Sequence, residues 1–211
     1  MNRTEAEDHL RVIRSLMEKA TIYRALSAPT ALVGGLASVV VGGLLFARWR
    51  LFPGTVSGRA WFLVGWGAVL LVTALANTFF LWRDARRRGD PFISNGMRHA
   101  LLAMAPAISC GALLSIFFIR WDCQLALPPI WMLCYGVALL ATRGFAPCSI
   151  QRLGWAFLIA GFVALLGRSE GRAEWTGGQT AANLEMVATF GLFHLIYAAC
   201  TWPRGGTAGA N

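Results

Sequence analysis

Acidic side chains are scarce in this 211-residue chain: it has 10 Asp and Glu against 19 Lys and Arg, and all four types together make up only 14% of it. No carboxylate falls inside an apolar run. Glu185 stands at the edge of one, near Glu170 and Glu174, so the usual basis for ion coupling through a buried acid is missing. Neither CxxC nor HExxH occurs, and the five cysteines are dispersed, which argues against a zinc site and a disulfide framework. Long polar segments are also lacking. The longest connections, Arg83 to Met97 and Arg168 to Asn183, are too short for a folded module, so the basic charge has no domain in which to form a nucleic-acid interface.

What the chain has in quantity is apolar sequence, at 56% of its residues. Such a composition is too apolar for a soluble domain, and the chain is too long for a single span. Apolar stretches run from about Pro29 to Ala47, Trp61 to Trp82, Arg98 to Ile119, Pro128 to Thr142, Leu153 to Gly167 and Leu184 to Trp202. A membrane helix needs about 20 such residues. Four of the stretches meet that length, while the fourth and fifth reach it only with their flanks. Trp49, Trp61, Trp82, Trp121, Trp131, Trp155 and Trp202 fall at or near the proposed ends, where an indole buries its ring and keeps its N–H in water.

The fold class predicted from this pattern is an all-α, polytopic integral membrane helical bundle of six transmembrane helices preceded by an amphipathic cytoplasmic helix. Residues 1–28 form the cytoplasmic helix, 29–202 the six-span bundle and 203–211 a flexible cytoplasmic tail. With the amino terminus inside, Arg3, Arg11, Arg14, Lys19, Arg24, the arginines from Arg83 to Arg98, Arg143, Arg152 and Arg204 are cytoplasmic. Arg48, Arg50, Arg59, Arg120, Arg168 and Arg172 are then external. This bias, led by Arg86, Arg87 and Arg88, places both termini in the cytoplasm. Eighteen of the nineteen basic residues are Arg, which fits a GC-rich bacterial genome, and the expected location is a bacterial inner membrane. The first 28 residues are charged and periodic and lack the apolar core of a cleavable signal, so the first span is expected to act as an uncleaved anchor.

Thr4 and Glu7 form a capping box, with Glu5, Glu7 and Asp8 at the positive end of the helix dipole. From there Leu10, Ile13, Leu16, Met17, Ala20 and Tyr23 recur at helical steps, and Pro29 marks entry to the first span. The expected amphipathic helix, Thr4 to Ser27, suits either the inner leaflet or a protein partner.

Two spans carry ridges of small residues that let helix backbones approach closely: Gly34, Ser38 and Gly42, preceded by Thr30, and Ala103, Ala107, Gly111 and Ser115. They serve internal packing or a homodimer. Ala156, Ala160 and Ala164 make a third. Pro106, Pro128 and Pro129 are expected at kinks or boundaries.

The candidate intramembrane polar layer consists of Ser38, Asn77, Ser109, Cys110, Tyr135, His194 and Tyr197, with Cys134 at similar depth. His194 and Tyr197 share a helix face, with Ser109, Tyr135 or Asn77 as candidate partners. His99 lies on the order of 13 Å from His194 along the membrane normal, which argues against a shared axial haem. No cofactor or metal is expected. A loose echo between Trp61 to Leu71 and Trp155 to Leu165 hints at three-plus-three inverted repeats.

Three functions are compatible with these features. The first is a non-enzymatic regulatory or accessory protein whose amino-terminal helix docks a cytoplasmic or membrane partner. The second is a dimeric transporter of a small molecule or lipid with a path around Tyr135 and His194. The third is an intramembrane enzyme using Ser109 or Cys110 with His194. The lipid bilayer is a partner in all of them and nucleic acid in none.

Overall fold

A computed structural model describes residues 9, 27–52, 58–89, 93, 95–121, 123–144, 146–169 and 178–202. The expected helix over Thr4 to Ser27, apart from His9 and Ser27, and the tail 203–211 lie outside these residues. All regular structure among the described residues is helical. In order it comprises α1 (Ala28–Leu51), α2 (Gly58–Arg88), α3 (Asn95–Arg120), a 3-10 turn (Gln124–Ala126), α4 (Leu127–Ala141), α5 (Cys148–Ser169), α6 (Gly178–Met186), a π-helical segment (Val187–Phe193) and α7 (His194–Thr201). Because α6, the π segment and α7 run on without a break, five helices among the described residues are long and apolar enough to cross a membrane. These are Ala28–Leu51, Ala60–Arg87, Met97–Arg120, Cys148–Gly167 and Gln179–Thr201. The shorter α4 has 15 residues.

Local chemistry sets the helix ends. Ser27, in extended conformation, accepts from the N–H of Thr30, and Pro29 fills an early position where no N–H is needed. Arg48 and Arg50 sit in the last turn of α1, against the negative end of its dipole. α2 stops at Gly89, whose φ of 71° is the left-handed cap that glycine adopts without penalty. Pro128 and Pro129 start α4, where the donors they lack belong to the unpaired first turn.

Two boundaries differ from the hydropathy reading. α2 continues through Arg88, so Arg83, Arg86 and Arg87 lie on a helical extension and not in a loop. The last span begins near Gly178, so Gln179, Thr180 and Asn183 are helical as well. Polarity depresses a hydropathy window without breaking a helix, which is why both extensions were hidden.

α1 packs against α2 on one side and against the final span on the other, whereas α4 packs against α3 and α5. Small residues make these approaches close. A side chain on Gly34 would meet Thr73 of α2, one on Gly35 would meet Leu195 of α7, and one on Gly42 would coincide with Val187 of the π segment. On α3, Gly111 lies against Trp131 and Cys134 of α4. Gly136 and Gly154 bring the backbones of α4 and α5 together, each facing the other's carbonyl.

One apolar core gathers Ala31, Ala100, Met132, Leu139, Ile150, Phe157, Tyr197 and Ala198 from α1, α3, α4, α5 and α7. A smaller one holds Phe62, Trp66 and Val69 of α2 against Ala182 of α6.

Candidate functional site

The centre of the larger core is aromatic. Phe157 of α5 is fully buried, with Tyr135, Phe190, Phe193 and His194 around it at ring-centroid distances of 4.8 to 5.5 Å. Within this cluster the hydroxyl of Tyr135 lies 3.1 Å from Nε2 of His194, and Nδ1 of His194 lies 2.9 Å from the carbonyl oxygen of Phe190. A carbonyl only accepts, so Nδ1 carries the proton. The neutral imidazole then accepts at Nε2 from the tyrosine O–H, and every polar atom of the pair has a partner. The alternative, an imidazolium, would bury a charge among aromatic rings without a counter-ion.

Backbone geometry helps to hold this arrangement. His194 is the first residue after the π segment, and its ring reaches back one turn to a carbonyl inside that segment. π turns widen the helix and re-aim side chains, and they occur frequently at functional positions. Here the widened turn also lies against the thin glycine face of α1, where Gly191 meets Val39 and Ser38.

The structure separates the residues of the predicted polar layer. It joins Tyr135 and His194 and sets Tyr197 in the same core. Asn77 instead accepts from Thr30 at 3.2 Å, tying α2 to the start of α1. Ser38 is buried and donates to Gly34 O within its own helix at 2.8 Å. Ser109 and Cys110 are exposed on α3 and take no part in the Tyr135–His194 bond. Since Phe190 and Tyr135 occupy both imidazole nitrogens, neither Ser109 nor Cys110 forms a dyad with His194.

The packing residues have equally definite places. Gly34, Ser38 and Gly42 are buried between α2 and the last span. On α3, Gly111 is buried and Ala103, Ala107 and Ser115 are half-buried. Ser115 receives the indole N–H of Trp131 at 2.9 Å and donates to Gly111 O.

A second polar junction lies outside the predicted layer. Asn183 of α6 is buried, donates from Nδ2 to Gly42 O of α1 at 2.8 Å and accepts at Oδ1 from Trp66 Nε1 of α2 at 3.2 Å. One side chain thus fastens three helices. The sequence held a signal for it: Trp66 sits in mid-span, away from the interfacial belt, where a buried indole N–H needs an acceptor.

Among the described residues no three His, Cys, Asp or Glu side chains come together as metal ligands. Comparison with protein-family models, curated proteins and solved structures gives no match. Fold and composition define the class: a protein whose described residues are all-helical in their regular structure and include five helices long and apolar enough to cross a membrane.

Proposed function

We propose that the chain is a multi-pass membrane protein of regulatory or accessory type rather than an enzyme. In this reading six spans anchor it in a bacterial inner membrane, both termini are cytoplasmic, and residues 1–28 dock a cytoplasmic or membrane partner. The observation that carries the proposal is the closed polar centre. Tyr135 and His194 satisfy one another and a backbone carbonyl inside packed aromatic rings, which suits a bundle that holds its shape better than one that turns over a substrate. The excess of arginine on the connections assigned to the cytoplasm supports the orientation. For the sixth span, α4 gives about 22 Å and the preceding 3-10 turn about 6 Å, together close to the ~30 Å hydrocarbon thickness.

Deleting residues 2–26 and comparing the proteins that co-purify in mild detergent tests the docking role. The expected result is loss of at least one partner. An identical partner set with unchanged cellular behaviour rejects it.

A second reading, a small-molecule or lipid transporter acting as a dimer, is favoured by the packing order. If α1, α2 and α3 correspond to α4, α5 and the final span, then the α1 contacts to α2 and the final span match the α4 contacts to α5 and α3. That is the pattern of a three-plus-three inverted repeat. Substrate flux in proteoliposomes would support this reading, provided that a bulky substitution at Tyr135 stops it.

A further inference from the structure

A cavity of about 140 Å³ opens where the end of α1 meets the beginnings of α2 and α6, and neither Tyr135 nor His194 lines it. That volume is several times the ~15 Å³ that admits a single water, and below the ~300 Å³ at which pockets enclose a whole drug-sized ligand. It suits a headgroup-sized moiety whose remainder stays outside.

The polar wall is rich in donors. Arg48 places its guanidinium over the ring of Trp61, 4.6 Å from the centroid, and no carboxylate among the described residues pairs with it. Asn183 reaches the cavity from a buried position, and one of its two amide hydrogens is used on Gly42 O, which leaves the other as a donor. Thr180 adds a hydroxyl. A full positive charge with several neutral donors, and no carboxylate among the described lining residues, matches oxygens that carry negative charge.

The rim is apolar and open to the surroundings of the bundle. Phe46 and Trp49 line the cavity and remain exposed beside it. An acyl chain would run along these rings, whereas a free hydrated anion would gain nothing from them. We propose that this cavity is a binding site for one anionic phospholipid, its phosphate held by Arg48, Thr180 and Asn183 and its chains lying across Phe46 and Trp49.

The test is native mass spectrometry on the full-length, delipidated protein in mild detergent, titrated with phosphatidylglycerol or phosphatidylcholine. One phosphatidylglycerol should be retained in preference to phosphatidylcholine. Arg48→Gln should weaken that retention about tenfold or more, as expected for losing a charge-assisted contact. Arg50→Gln, which removes an exposed charge from the same helix end outside the cavity, should leave it unchanged. Thr180→Glu, which puts a carboxylate on the cavity wall at a half-buried position, should also expel the lipid and covers the case in which Arg48→Gln fails to fold. The proposal is overturned if both lipids are retained equally, or if Arg50→Gln costs as much as Arg48→Gln. It is likewise overturned if inorganic phosphate displaces the lipid, which would assign the cavity to a free anion.

Discussion

Tyr135 and His194 illustrate how a polar pair persists in an apolar bundle. Each side chain alone would leave a hydrogen-bonding group without water, whereas together with Phe190 O they leave none. The bond links α4 to α7, and its worth is set by what happens when one side is removed. Tyr135→Phe should lower stability by about 1 kcal/mol, in the range measured for hydrogen bonds inside membrane proteins. His194→Phe should cost more, since it removes the bonds to both Tyr135 and Phe190 O and strands the Tyr135 hydroxyl. The double variant should cost less than the sum of the two, because it leaves no stranded partner. Denaturation in mixed micelles of the four proteins measures this coupling; strict additivity would mean the two groups do not depend on each other.

Glycine positions offer a contrasting check at the same scale. A Cβ on Gly136 would come within 3.0 Å of backbone atoms of Gly154 and Leu158, which cannot yield without moving a helix. Gly136→Ala should therefore destabilise by about 1–3 kcal/mol. Gly43 has nothing within 4 Å, and Gly43→Ala should be neutral or slightly stabilising. Both are read from thermal unfolding in detergent, and equal effects at the two sites would contradict the close α4–α5 approach.

Among elements, α4 is the one whose length bears most on the topology. It is 15 residues long and is buried between α3 and α5 along much of its surface. Its ends are flanked by Cys123 and Cys148, both exposed. If α4 crosses the bilayer, a membrane-impermeant maleimide should reach Cys123 from one side and Cys148 from the other. Cys110, exposed in the middle of a long apolar helix, should stay unlabelled until detergent is added. Labelling of Cys123 and Cys148 from the same side would make α4 a re-entrant helix.

The extent to which such features can be read from sequence differs by element. The small-residue face of α1 was visible as a four-residue spacing, because helical periodicity is a local property. Its occupants were not, since nothing local to Gly42 says that Val187 lies against it. The Tyr135–His194 pair was among the candidate partnerships, but depth alone could not choose between Tyr135, Ser109 and Asn77. Asn183 escapes the sequence reading because hydropathy begins the last span at Leu184, one residue after it. The π segment left no mark in the apolar pattern, as a widened turn changes backbone hydrogen bonding without changing composition.

Viewed whole, the molecule directs large apolar side chains outward from every long helix. Leu44, Leu70, Leu113, Val163 and Ile196, one from each, are all 60% or more exposed. Asn77, Tyr135, Asn183 and His194 instead find their partners between helices. That inversion suits hydrocarbon as the solvent, because soluble monomers rarely show apolar patches beyond a few hundred Å². Fractionation of cells expressing the full-length chain, with alkaline washing of the membranes, tests this most directly. The chain should remain in the membrane pellet and be released as a monodisperse species only by detergent. Recovery of a monodisperse protein in plain aqueous buffer would contradict the membrane assignment and the proposals built on it.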